Sequence, residues 1–291
     1  MEINHLVITG GCLAGFPTYG ILKESNKSGF WKMENIKSIY ATSIGTMNAI
    51  WITLNYDWDT LDNYIINRPW HTVFKYDFAA ILNAIQTCGV FNVAPIEQMF
   101  LPVFSGKNIS INVTMAEYYE ITKIDIHMYT VDMVSFKLID LSHTTHPNWR
   151  IVDAIYCSCS LPILFAPFLK DGMCFIDGGI LMNYPLAPCI ATANDEGILG
   201  INCKPCDNSP INSTTLFDYI FSVLNKIIKH VMTSHQHTLT RNSNVIEMYV
   251  DVTPASIYDL FEVASKPEER RKLIEDGAEI WKLYNRIDKL A

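Results

Sequence analysis

No run of about twenty apolar residues occurs in this 291-residue chain, so a membrane-spanning helix is excluded and membrane contact would be peripheral. Clustered cations are missing too. The chain has 22 Lys and Arg against 30 Asp and Glu, a formal net charge of -8, with no extended basic run. Nucleic acid is therefore not an expected partner, because phosphate backbones are bound by clustered cations. The opening MEINHLVITGG carries an acid and a short strand-like stretch where a signal peptide needs positive charge and a longer apolar segment. That gives the expectation of a cytoplasmic protein. Linkers rich in Pro, Gly or Ser, low-complexity tracts and internal repeats are also absent, so residues 1–291 read as a single domain. Eight cysteines scattered through such a chain read as reduced core thiols rather than disulfides. Cys203 and Cys206 form a CxxC without the second pair a zinc site would need, so no metal is expected.

A hydrophobic share of 49% is enough for a sizeable core. The segments HLVIT (5–9) and SIYAT (38–42) have the length and residue types of buried strands, and each runs into a helical segment, GFPTYGILKES and IGTMNAIWITLN. Further on, IDIHMYTVDM, SFKLIDL, CFID and GILGINC read as strands and WRIVDAIYCSC as a helix. This alternation predicts an α/β fold of three layers, α/β/α, around a mainly parallel sheet.

In such a sheet the loops after neighbouring parallel strands emerge at the same carboxyl edge. Gly10-Gly11 and Ser43 would then face each other. Glycine amides can approach a ligand closely, and the start of a helix adds its positive dipole end. Around Ser43, Ala41 and Gly45 are small enough for a sharp strand-to-helix turn that exposes a hydroxyl. Gly-Gly can also be a simple turn, and Ser43 a solvated serine. A dinucleotide loop fails, because Cys12 breaks GxGxxG and the second strand ends in Thr42-Ser43 rather than an acid. A nucleophilic serine needs a base. Asp177, which ends an apolar strand before Gly178-Gly179, is the candidate, the alternative being an ordinary Asp-Gly turn.

Taken in order, Gly10-Gly11-Cys12-Leu13-Ala14-Gly15, Ala41-Thr42-Ser43-Ile44-Gly45 and Asp177-Gly178-Gly179 resemble the oxyanion loop, elbow and D-G-G motif of patatin-like phospholipases. The segments CSCSLPILFAPF, NRPWHTVF, GVFNVAPIEQMF and KPEERRKLIEDG extend the resemblance over nearly the whole chain. Three positions depart from the family: Cys12 and Ala41 replace Gly, and Ala14 replaces a cation. The resemblance implies a Ser43–Asp177 dyad and an oxyanion hole of Gly10, Gly11 and Cys12 amides. Gly15, Ala41, Gly45, Gly178 and Gly179 would shape the turns. It further implies an acyl lipid as substrate, phospholipid at a membrane surface first, with neither metal nor cofactor, and points to no protein partner. The rival readings are an acyltransferase or hydrolase of other acyl esters, and a silent lipid-binding module of the same fold.

The remaining features have plainer readings. His230, His235 and His237 would complete a Ser-Asp-His chain order, but only one strand precedes the strand of Ser43, too few for an α/β-hydrolase. His143 and His146 read as solvated loop residues. The segment TLFDYIFSVLNKIIKH puts Phe217, Ile220, Leu224, Ile227 and Ile228 on one helical face, with Asp218, Asn225, Lys226 and Lys229 off it. Core packing is the expectation for that face. Trp51, Trp58, Trp70, Phe74, Phe78 and Phe91 either line an acyl pocket or simply pack.

Overall fold

The computed structural model describes residues 1–75, 84–194, 196–205, 216–236, 243–252 and 257–288. Phe78, Cys206 and His237 lie outside the described residues, as do the side chains of Phe217, Asp218, Asn225 and His235. The chain opens as β1 (Ile3–Ile8), α1 (Gly15–Lys27), β2 (Ser38–Thr42), α2 (Ile44–Thr53), α3 (Trp58–Asn67) and α4 (Trp70–Val73). It continues through β3 (Gly89–Phe91), α5 (Ala94–Ser105), α6 (Met115–Thr122), β4 (Asp125–Asp132), β5 (Lys137–Leu141) and α7 (Ile151–Cys159). Next come β6 (Ile163–Phe165), β7 (Phe168–Lys170), β8 (Met173–Asp177), α8 (Leu186–Thr192), β9 (Gly197–Pro205), α9 (Leu216–Gln236), β10 (Val245–Val252), α10 (Ile257–Ser265) and α11 (Pro267–Asp288).

Among the described residues eight strands form one sheet, ordered β10-β9-β1-β2-β4-β8-β7 with β5 paired to β4. From β10 to β4 every pairing is parallel, and β5, β8 and β7 add an antiparallel flank. The period-2 alternation of a strand decides which side chains meet which layer. Leu6, Ile8, Ile39, Ala41, Met128 and Ile201 point into the main core under the larger helical layer. Val7, Tyr40, Tyr129 and Ile198 point the other way and pack with Leu186 and Cys189 of α8. Both faces are thus covered, as the near-continuous apolar strands require. Among the described residues no helix is long and apolar enough to cross a membrane.

Three expectations change here. The α9 face expected in the core is only partly covered: Leu224 and Ile228 are half-buried, whereas Ile220 and Ile227 are exposed. Periodicity marks an apolar face but not what covers it. His143 is not solvated, for its Nδ1 lies 2.9 Å from Asp125 Oδ1 and its ring stacks on Tyr119 at 3.8 Å. His146, half-buried, sits edge-on to Trp149. Of the described cysteines, Cys157, Cys159, Cys189 and Cys203 are buried, Cys12 and Cys174 are intermediate and Cys88 is exposed; these seven are free.

Candidate active site

The strand β2 ends at Thr42, and the chain turns into α2 through Ser43 at φ 53° and ψ -129°. A non-glycine residue held there stores strain of order 1–3 kcal/mol, so its surroundings must over-determine it. Several contacts do so. The Ser43 N–H donates to Ser158 Oγ at 2.8 Å, and Ser158 Oγ donates in turn to the Tyr129 carbonyl at 2.6 Å. Beyond the bend, Thr46 donates to the Ser43 carbonyl from its hydroxyl (2.7 Å) and its N–H (2.8 Å). Gly45 lets α2 pass close to β1, since a Cβ there would stand 2.6 Å from the Ile8 carbonyl oxygen and 2.7 Å from that of Thr9. Ala41, in place of the family glycine, lies wholly buried in the main core.

The loop after β1 does face this bend, for a Cβ built on Gly10 would lie 3.0 Å from Ser43 Cβ. The helix behind it starts at Gly15, where the sequence places it, after a tight turn at Cys12–Ala14. Gly10 has a different task from the one the motif implies. Its N–H donates to the Asn183 carbonyl at 2.9 Å, so it has no donor to offer a ligand. Gly11, at φ 136°, and Cys12 open the tight turn, and N–H groups at a helix start have no intrahelical acceptor. Asn183 also donates from Nδ2 to Thr9 Oγ1 and to the Gly10 carbonyl, both at 3.2 Å. It fixes the whole loop.

Asp177 ends β8 beside Thr130 of β4, which brings it level with the end of β2. Its Oδ2 accepts from Ser43 Oγ at 2.6 Å, while Oδ1 accepts from the Gly179 N–H at 2.7 Å. Burial raises the carboxyl from 3.8 to about 6, against the opposing pull of the Ser43 and Gly179 hydrogen bonds. The neighbouring Cys12 thiol is pushed up to about 12, by burial first and the Asp177 charge second, so it stays protonated at neutral pH. Gly178 lets the turn after Asp177 close, as a Cβ there would meet the Tyr129 carbonyl oxygen at 2.1 Å.

Ser43 and Asp177 stand at the wall of a cavity of about 170 Å³. Phe16, Met47, Trp51, Trp70, Phe74 and Phe91 make much of its surface, so four of the singled-out aromatics line it. Trp58 instead packs edge-on against Tyr19. The far wall is Leu260, Phe261, Val263 and Ala264 of α10. This wall hangs on Arg270, which is fully buried and has no carboxylate partner among the described residues. Its guanidinium donates to the carbonyls of Val263 (2.5 Å), Ala264 (2.8 Å), Ile66 (2.6 and 3.0 Å) and Arg68 (3.1 Å), joining the α10 wall to the segment before Trp70. Among the described residues no histidine lines the cavity, and no group of three or more His, Cys, Asp or Glu is arranged to hold a metal ion.

Sequence reasoning missed Ser158, Asn183, Arg270 and the α10 wall. Ser158 and Arg270 lie inside the segments CSCSLPILFAPF and KPEERRKLIEDG, and Asn183 lies four residues beyond Gly179. Nothing local assigns them these partners.

The chain resembles known proteins along most of its length. The uncharacterized protein R571 of Acanthamoeba polyphaga mimivirus is 25% identical over 233 residues, covering 76% of this chain and 75% of that protein. Probable lipid hydrolase 463L of Invertebrate iridescent virus 6 is 22% identical over 283 residues, covering 93% of this chain and 88% of that protein. Among solved structures, VipD from Legionella pneumophila has a similar fold, with a TM-score of 0.53 at 14% identity over 95% of this chain and 67% of VipD. The match to the patatin-like phospholipase family runs from residue 6 to 190, which takes in the glycine loop, the Ser43 elbow and Asp177, and on that match the chain belongs to this family.

Proposed function

We propose that the protein hydrolyses acyl esters of lipids, phospholipids first, with Ser43 as nucleophile and Asp177 as its base. The observation that carries this reading is the 2.6 Å hydrogen bond from Ser43 Oγ to Asp177 Oδ2 at the wall of an apolar cavity. Ser43 Oγ attacks the ester carbonyl carbon while its proton passes to Asp177. The tetrahedral oxyanion sits against the Gly11 and Cys12 N–H groups, and loss of one such donor typically costs about 2.7–4 kcal/mol. Collapse breaks the ester C–O bond, and the departing alcohol takes the proton back from Asp177. Water, deprotonated by Asp177, then attacks the acyl-enzyme and releases the fatty acid. A carboxyl near 6 suits both roles, being largely ionised at neutral pH yet more basic than an ordinary aspartate.

The apolar lining supports an acyl chain as the part of the substrate that enters. The experiment is mass-spectrometric detection of fatty acid released from defined mixed-chain phospholipids, with Ser43→Ala as control. Release by the wild type alone is expected. Equal release by both proteins, or release only from non-phospholipid esters, would contradict the mechanism or the substrate class respectively.

A further inference from the structure

The helix α9 is apolar over a wider arc than the fold covers. At about 100° per residue, Tyr219, Ile220, Val223 and Ile227 share an arc of about 100°, and Leu224, Ile228 and Val231 continue it by about 80°. The second group faces inward. Ile228 packs on Val131, Ile176 and Ile180, and also in the cluster around Leu161 that includes Cys12, Leu260 and Phe261. Leu161, Cys12, Leu260 and Phe261 of that second cluster line the cavity, and Ile180 lies in the turn that follows Asp177. The helix therefore borders the site.

The first group faces out, between 36% and 52% exposed, with exposed His230 between Tyr219 and Val223 on the same arc. Lys226 flanks the arc about 20° beyond Tyr219, and Ser222 and Lys229 lie farther round. Beyond Val131, which packs against Ile228 of α9, the turn from β4 to β5 carries Met133, Val134 and Phe136, each more than half exposed. It extends from the same carboxyl edge of the parallel strands as Ser43, and Leu138 just beyond it packs in the cluster that holds Ile228.

We propose that the outer face of α9, with the β4–β5 turn, is the surface by which the protein docks on a phospholipid layer. The proposal rests on the lipid-ester reading of the cavity, and it names the partner of that same site. An amphipathic helix whose apolar face the described residues leave exposed, beside the cavity, matches what an interfacial helix needs. Charge supports the choice of a lipid layer. The chain as a whole is at -8, but α9 has two lysines against one aspartate, so this helix does not share the chain's negative excess. Apolar insertion supplies most of the binding, with Lys226 at the edge of the face beside the headgroups.

The test uses the full chain and a variant with Ile220→Asn, Val223→Asn and Ile227→Asn, all at exposed positions, checked by circular dichroism. Co-sedimentation with phosphatidylcholine vesicles should fall about tenfold or more in the variant, while hydrolysis of a monomeric short-chain ester stays unchanged. Adding an anionic lipid should strengthen wild-type binding only a few-fold, and binding should persist at about 0.5 M salt, where charge attraction is screened. Equal vesicle binding by variant and wild type overturns the proposal. So does a wild-type dimer that the variant abolishes in the absence of vesicle binding, which would make a second copy the occupant. Vesicle binding is read independently of turnover, so a protein that binds vesicles through α9 without cleaving esters would refute the hydrolase reading and leave the docking surface standing.

Discussion

The proposed reacting groups, Ser43 and Asp177, and the far wall of the cavity come from regions built in opposite ways. Around Ser43 and Asp177 the chain is held by hydrogen bonds of 2.6 to 2.8 Å on a strained bend between parallel strands, inside the 6–190 family match. The wall of Leu260, Phe261, Val263 and Ala264 lies outside that match and hangs on one buried guanidinium. A bond-making centre tolerates little displacement, whereas a wall that only encloses an apolar chain can move and still exclude water. The two regions should therefore fail differently, the first in rate and the second in which acyl chain is preferred.

The largest expected effect breaks the first region. Asp177→Asn should lower kcat/KM on the order of 10⁴-fold for every chain length, as loss of a member of such a dyad or triad typically does. The same variant should be the more stable protein at neutral pH. The folded carboxyl titrates at about 6 rather than 3.8, so the stability it contributes is full below about pH 4 and lost as pH rises through 6. Its removal should add about 1–3 kcal/mol at pH 7 and nothing near pH 3, measured by denaturant titration. A variant destabilised at pH 7 would show that its hydrogen bonds outweigh the cost of burying its charge.

A smaller effect breaks the second region. Arg270→Lys keeps the charge but loses the planar fork that reaches four carbonyls. It should shift the ratio of kcat/KM between long-chain and short-chain esters about tenfold with the short-chain rate preserved, because one methylene in an apolar pocket is worth about 1–3 kcal/mol. A uniform fall across all chain lengths would erase the distinction between centre and wall. The smallest effect sharpens it. In the wild type, kcat/KM should fall with unit slope below about pH 6 at every chain length, since the Asp177 proton belongs to the centre alone. A midpoint near 4, or one that moves with chain length, would detach the profile from Asp177.

The same contrast governs what the sequence makes legible. Runs of strand-type residues gave β2 at its observed limits, 38–42, and placed β1, β4, β5, β8 and β9 within about two residues, because their apolar side chains must alternate between two buried faces; β7 and β10 were not read. The motifs at Ser43 and Asp177 could be read because their glycines are fixed by close backbone approach. Hydrogen-bond partners far apart in sequence could not. Ser158 reaches Ser43 across 115 residues and Arg270 reaches Ile66 across 204, and no local spacing encodes such pairs. The Gly10 donor was misassigned for the same reason, its acceptor being the distant Asn183. In α9 the apolar arc was visible, but its width exceeds what the fold covers, and only the packed structure shows the surplus.

The account stands on the hydroxyl of Ser43, which covalent labelling interrogates most directly. An activated alkyl phosphonate should add once to the wild type, at Ser43 by peptide mass mapping. Ser43→Ala should take up none, and Asp177→Asn should label on the order of 10³-fold more slowly or less, because the bend still presents the hydroxyl but its base is gone. A wild type that resists the reagent, or labelling of Ser43→Ala at the wild-type rate, would contradict the assignment of Ser43 as nucleophile.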